Sequence, residues 1–430
     1  MDYRIIIHPP KGMMNLTDTT METSTVAYPC HGATQEEIDL YDDLVYWSDG
    51  IGQIIIGCTG IIGNCMAVPI LISRKLNSIF NRILVFLAIF DNIFIFCAVL
   101  EGIRKNIGPL GDWHVYAFAY FGYQLQSISI LSSIFMTVVL ALERYLAITK
   151  PIEYHNAIQG TNPWKRVWMY IIPVVVFSTV FNLPKFAEIK VVENIIITKR
   201  VDPETFETEF YNDTQVTVLP TDLRMNDAYI FWYNNLAKLI ITGLIPFLSL
   251  CIFNTRIYDA LRRRRKVMGP NATAAHQQQL NEDNRQALVL FSIVIIFLIS
   301  NVPRIALNLH EVFTIEQYKK DVSHGCTHLP FWVLLSGTVS QLLMVVNSSI
   351  NFFIYCVMSA LFREVFWDYV TARCPKFNCK KTPRSVDGGG SGPGPAVSRA
   401  SVELQETKVI TIPSENNWRN GTKTPIDGVV

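Results

Sequence analysis

Charge is what this chain has little of. Only 17% of its 430 residues are charged and 50% are hydrophobic, whereas a soluble domain carries about 25% charged residues. That scarcity excludes an ordinary soluble protein and points to a membrane protein. The net charge of +1 excludes a nucleic-acid binder held by phosphate contacts. Catalytic motifs are also missing: there is no GxSxG or HExxH, and the eight histidines are scattered, so no enzyme is expected. No internal repeat of the inverted-repeat transporter kind is found. Beyond Asp91 the helix interiors offer few ionisable groups, which counts against a channel or a pump. The opening MDYRIIIHPPKGMMNL has no apolar core leading to a small-residue cleavage site. No cleaved leader is expected, and the first membrane helix acts as its own insertion signal.

What is present is apolar length. Stretches of the roughly 20 residues needed to span a bilayer fall at about 51–73, 81–102, 115–148, 165–186, 228–260, 282–312 and 329–356. The expected fold is an all-α membrane protein, a bundle of seven transmembrane helices. Residues 1–50 form a polar outer segment, 51–370 the bundle with a short helix after it, and 371–430 a disordered tail rich in Gly, Pro, Ser and Thr. Basic residues mark each odd-to-even connection: Arg74 and Lys75, Lys150 and Arg166, Arg262 to Lys266, and Arg363 to Lys381 after the last span. The positive-inside rule therefore puts these in the cytoplasm and the N-terminus outside, at the plasma membrane. The sequons at Asn15 and Asn212 lie on the outer side and are expected to be glycosylated. Between spans 4 and 5, EIKVVENIIITKR and FETEFYNDTQVTVLP alternate apolar and polar residues, which predicts a β-hairpin over the outer mouth. ALFREVFWDYV reads as a short amphipathic helix on the inner lipid interface, and Cys374 and Cys379 beyond it are palmitoylation candidates.

Two polar features stand out against this background. At the end of span 3, Glu143, Arg144 and Tyr145 follow an apolar run. Adjacent residues on a helix do not face one another, so Glu143 holds Arg144 only loosely. Either Arg144 snorkels to the headgroups or it belongs to a switch. Deeper in the bundle sit Asn64, Asp91, Ser133, Asn347, Ser348 and Asn351. A carboxylate at mid-bilayer is a functional-site hypothesis by default. The oxygen donors around it suit a hard cation such as sodium, or else interhelical hydrogen bonding without an ion, worth about 0.6 kcal/mol per contact.

GN in span 1, LAxxD in span 2, ERY closing span 3, Pro246 and Pro303 in spans 5 and 6, and NFFIY in span 7 together resemble the rhodopsin-like G-protein-coupled receptors. The likeness covers about 50–370. FNLPKFAEIK, PFLSLCIFNTRIY, NVPRIALNLHE and NSSINFFIYCVMSALFRE resemble the invertebrate FMRFamide-type peptide receptors within that superfamily. The resemblance implies a two-state bundle in which an outside agonist opens a cytoplasmic cavity for a heterotrimeric G protein. It implies that Arg144 pairs at rest with Asp283 at the base of span 6, and that Phe297, Pro303, Asn351 and Tyr355 move with activation. It also implies that arrestin and a receptor kinase meet the tail at Ser385, Ser398, Ser401 or Thr407.

The departures from the family pattern are specific. Phe352 replaces the proline of the span-7 element, and Asn301 replaces the tryptophan before Pro303. The family ties the top of span 3 to the second outer loop by a disulfide, but here that position is Ala119, or Tyr120 if the alignment shifts by one, and residues 187–227 contain no cysteine. Cys30 and Cys326 are the outer cysteines, and their pairing is the expected substitute. Gln126 stands where amine receptors keep an aspartate, and span 7 lacks the opsin lysine, so an extracellular peptide fits best. A peptide ending in Arg-Phe-amide needs a carboxylate and an aromatic pocket. Glu188, Glu311 and Glu101 are the acids on offer, with Tyr123, Phe186, Tyr229 and Phe313 for the pocket and Gln126 for the floor. The competing readings are an atypical or scavenging receptor, and a receptor for a lipid or protein hormone.

Overall fold

The computed structural model describes residues 34–158, 162–201, 208–268, 274–323 and 329–373. Seven helices among them are long and apolar enough to cross a membrane. They are α1 (Glu36–Leu71), α2 (Ile79–Asn106), α3 (Asp112–Thr149), α4 (Pro163–Ala187), α5 (Asp227–Lys266), α6 (Leu280–Glu311) and α7 (Phe331–Ser349). A short helix, Pro151–Ile158, lies between α3 and α4. After a break at Ile350, α7 continues as Asn351–Met358 and is followed by α8, Ala360–Arg373. Phe362 on α8 is buried, and Phe366 lies 5.8 Å from the Phe352 ring, as the amphipathic pattern predicts.

Two helices reach further than their apolar runs. The helix leading into α1 starts at Gln35, because Thr34 caps it and Glu37 returns a bond to the Thr34 backbone. This reciprocal box satisfies donors that would otherwise be orphaned, so 35–50 is helix and not a polar lead. The helix carrying α6 runs from Ala274 to Ser323. The hairpin appears where alternation placed it. Strand β1 (Ile189–Val201) pairs antiparallel with β2 (Thr208–Pro220), Ile189 opposite Pro220 and Val201 opposite Thr208.

Small residues let the helices approach closely. On α1, Gly57 faces Ile95 and Val99 of α2, and Gly60 faces Ser349 of α7. A Cβ on Gly60 would stand 2.8 Å from the Ser349 Cα, so the backbone itself would have to move. Membrane helices lack a hydrophobic drive toward each other and rely on such contacts. Below them the main core joins Ala67, Ile83, Met136, Leu140 and Leu290. Gly60→Leu is therefore expected to overpack the α1–α7 contact at a cost of about 1–3 kcal/mol. Surface display should fall, while Ile62→Leu on an exposed position leaves it unchanged. Equal display of the two variants would refute the close approach.

Candidate functional site

Three polar clusters run along the bundle. The middle one is built on Asp91, which is wholly buried. Ser133 of α3 donates to its Oδ1 at 2.6 Å, and Asn351 donates to its Oδ2 at 2.7 Å. Asn64 of α1 donates to the Ser348 carbonyl at 3.1 Å. The carboxylate is thus satisfied from two neighbouring helices, as burial demands. Asn347, which precedes Ser348 in the chain, is half-buried. Ser132 and Ser349 are also buried polar residues, quoted in the sequence motifs but not among the expected ion ligands. Their hydroxyls, with Asn64 Oδ1, are buried without a hydrogen-bond partner. Such an oxygen-rich set fits a small hard cation, which Asp91, Ser133 and Ser348 would hold.

The second cluster closes the α3 end that carries the basic loops. Glu143 is fully buried. It accepts from Tyr154 of the short loop helix and from Tyr170 of α4 at 2.9 Å, with Arg166 at 3.7 Å. These partners leave Arg144 free of its neighbour. Arg144 lies over the Phe80 ring at 4.7 Å and donates to Gln286 on α6. This corrects the expected Arg144–Asp283 pair. Asp283 accepts from Arg264 of α5 at 3.1 Å, and Arg264 also donates to the Ile148 carbonyl at 2.6 Å. The bridge still joins α3 to α6, but one turn along, because Gln286 lies three residues past Asp283 on the same face. Tyr145 meets Phe253 of α5 with ring centres 5.5 Å apart. Tyr355 and Phe297 are buried in the adjoining core. Asn301 donates to the Phe297 carbonyl at 2.8 Å, a turn before Pro303.

The third cluster lies under the hairpin. Glu188 is wholly buried. It accepts from Tyr123 of α3, from Tyr229 at 2.8 Å and from Lys185 at 3.1 Å, and Arg224 stands at 3.9 Å. Lys185 also donates to the Tyr123 hydroxyl at 2.7 Å. Burial alone would push the Glu188 carboxyl up. Lys185, Lys238, the Tyr123 hydroxyl and Arg224 together outweigh it and hold the group at about 2. Phe118, Ala119, Tyr123 and Ile189 pack into one apolar group with Val191 and Val218. At the hairpin base Thr221 donates its amide to the Glu188 carbonyl at 2.9 Å and its hydroxyl to that of Ala187 at 2.5 Å. The hairpin is therefore seated on α3 around Ala119 by apolar and polar contacts.

Next to this cluster, a cavity of about 210 Å³ opens between the helices. Gln126, Tyr123 and Glu101 line it, as the sequence suggests. Glu101 already holds Arg104 at 2.8 Å and Lys105 at 3.0 Å. The expected aromatic pocket is not assembled. Phe186, on the closing turn of α4, and Phe313 are exposed, and Phe313 stands two residues, about 200°, round the helix from Glu311. Glu311 sits on Asn235, whose amide nitrogen, turned toward the acid, reaches both oxygens at 3.1 and 3.2 Å. Neither Glu311 nor Tyr229 is among the lining residues. Lys185, Lys238 and Arg304 do line the cavity, and sequence reasoning missed all three. A lysine inside YNNLAKLIITG and an arginine after Pro303 were the available signals. Asn15, Cys30, Cys326, Cys374 and Cys379 lie outside the described residues, and Asn212 is on β2.

Seven apolar spanning helices, with a cavity near one end and a helix-to-helix clasp at the other, define a multi-pass membrane protein. A family model gives its kind: the chain belongs to the serpentine type 7TM GPCR chemoreceptor Srw family, matched over residues 52–373. It is a G-protein-coupled receptor and not an enzyme. It is 27% identical over 344 residues to the FMRFamide receptor of Drosophila melanogaster, covering 76% of this chain and 56% of the relative. The chain thus spans little more than half of that relative's length. It is 24% identical to the probable G-protein coupled receptor frpr-1 of Caenorhabditis elegans (82% of this chain, 88% of the relative). It is 26% identical to the Drosophila melanogaster trissin receptor (54% of this chain, 32% of the relative).

The Glu188 cluster makes a pH prediction. A carboxyl held below its ordinary 4.5 contributes stability that is complete above about 4.5 and lost as pH falls through about 2. Glu188→Gln should lower the melting temperature of the purified receptor by several degrees. The gap from wild type should stay constant from about pH 7.5 to about pH 5.5. A gap that closes across that range would mean Glu188 takes up a proton there.

Proposed function

We propose that this protein is a cell-surface receptor for an extracellular peptide and passes binding to a heterotrimeric G protein. The hairpin side faces outward and the basic loops face the cytoplasm. The observation that carries this reading is the clasp of Arg144 on Gln286 at the opposite end from the cavity. A ligand that changes the packing of α5, α6 and α3 around the cavity can release that clasp only by moving α6 as a unit. Release would open a space between α3 and α6 for a G-protein segment, bordered by Arg262 to Lys266. The FMRFamide and trissin receptor names of the relatives favour a peptide among ligand classes. For a peptide ending in Arg-Phe-amide, the acids within reach are Asp49 and Glu101 on the cavity wall. The Asp91 cluster serves as a sodium site that favours the resting packing. The remaining partners are arrestin and a receptor kinase at the tail, palmitate on Cys374 and Cys379, glycans on Asn15 and Asn212, and a Cys30–Cys326 bridge.

Cells displaying the receptor, challenged with a panel of amidated neuropeptides, test this reading through nucleotide exchange. At least one peptide should stimulate exchange; binding without exchange indicates a scavenger, and silence indicates a lipid or protein-hormone ligand. The clasp has its own test. Gln286→Ala removes the acceptor of Arg144 and should raise basal exchange several-fold. Asp283→Ala frees Arg264 and should raise it less. The reverse order would return the latch to Asp283. Asp91→Ala should abolish the sodium dependence of agonist affinity, and an unchanged dependence would remove the ion from the site.

A further inference from the structure

The charged groups around the cavity do not balance. Its lining carries Lys105, Lys185, Arg224, Lys238 and Arg304 against Asp49 and Glu101. Glu101 is engaged by Lys105 and Arg104, and Glu188 just behind the wall takes Lys185 and Arg224. Lys238 of α5 and Arg304 of α6 are left with no carboxylate within 4.0 Å among the described residues. Lys238 donates to Asn234 of its own helix, and Arg304 reaches the Met344 sulfur at 3.4 Å. Around Lys238 the cations Lys185, Arg224 and Arg304 outnumber the carboxylates Glu188 and Glu311. Lys238 shares the Glu188 charge with Lys185 and Arg224 and makes no direct ion pair of its own, and cations held this deep without a direct ion pair are costly. A fold that keeps two of them at one cavity wall is built for an anion that arrives from outside.

The backbone supports this. Lys238 sits between two π-helical stretches, Ile230–Ala237 and Leu239–Leu244. Such widened turns are frequent at functional sites, and here they flank a side chain that lines the cavity. Gly243 of α5 lies against Ile305 of α6, a Cβ there meeting Ile305 at 3.2 Å. The two helices are thus in contact at the residue after Arg304 and five residues past Lys238. Arg304 directly follows Pro303, where the helix loses a backbone donor.

We propose that Lys238 and Arg304 form a carboxylate-recognising subsite, and that the activating peptide places an acidic group, from a Glu or Asp side chain or from a free C-terminus, between α5 and α6. The subsite rests on the peptide-receptor reading and adds to it the chemistry of the deep end of the ligand. A carboxylate bridging the two cations pulls the α5 and α6 segments together beside Pro303. That gives ligand contact a grip on α6 in a chain whose position 301 holds asparagine.

Two measurements test it on the full-length receptor. The first uses randomised hexapeptide mixtures with one position fixed as Glu, Gln or Arg, each made as free acid and as amide, read by nucleotide exchange. Preference for Glu-fixed mixtures regardless of terminus indicates a side-chain carboxylate; preference for free acids over amides indicates the C-terminus. Either supports the subsite. Lys238→Gln and Arg304→Gln should each weaken the preferred mixture by roughly 30-fold or more, as expected when one partner of a buried charge pair is truncated. Stimulation by Arg-fixed or Gln-fixed amides equal to the Glu-fixed ones overturns the subsite while leaving a peptide receptor. The second measures the thermal shift of purified receptor with N-acetylglutamate, N-acetylglutaminamide or sodium chloride. A shift confined to N-acetylglutamate, and lost in the double Lys238→Gln, Arg304→Gln variant, supports the subsite even if every mixture is silent, in which case the peptide reading fails instead. An equal shift from chloride, or no shift together with silent mixtures, overturns it.

Discussion

A carboxylate in the middle of a bilayer has to be answered from several directions at once, and Asp91 sets this constraint on the bundle. Its two oxygens are met by Ser133 of α3 and Asn351 beyond α7, while Asn64 fastens α1 to the same turn of α7. Four helices are thereby placed in register by polar contacts that have no alternative partner in lipid. The glycines of α1 let that helix come near enough for its asparagine to reach Ser348. The apolar core around Met136 and Leu140 fills the space below. Apolar packing alone leaves membrane helices free to slide and rotate, and the directional bonds remove that freedom.

The two ends of the bundle use the same device for different purposes. Under the hairpin, a buried acid collects two tyrosines and two cations, which fixes the cap over α3. At the far end, Glu143 collects two tyrosines and Arg166. That arrangement turns the neighbouring guanidinium outward from its own acid and toward α6. One carboxylate is therefore a fastener for a lid, and the other sets the direction of a switch.

Seven spans, the hairpin and the last amphipathic helix were legible because apolar periodicity and alternation are local properties. Asp91, Ser133, Ser348 and Asn351 were legible because polar atoms at mid-span have to find one another. Helix limits were less so: Thr34 and Glu37 extend the first helix by capping, which hydropathy does not register. The partner of Arg144 was misassigned by one turn, since Asp283 and Gln286 share a face and only packing against Arg264 separates them. Lys238 and Arg304 were overlooked for a physical reason. Each lies in an apolar run, and what it faces depends on π-turns in α5 and on how α5 meets α6. Phe186 and Phe313 have the side chains a pocket requires, but both are exposed, and residue type alone carries no direction.

The seating of the hairpin has one more consequence. Its attachment to α3 consists of oxygen and nitrogen donors, a buried carboxylate and an apolar patch, with no sulfur among the described contacts. Thiol reagents that unfasten the second loop in a cystine-linked receptor have nothing to cut at this junction. At this junction, among the described residues, the hold on the helix rests on charge, hydrogen bonds and apolar contact.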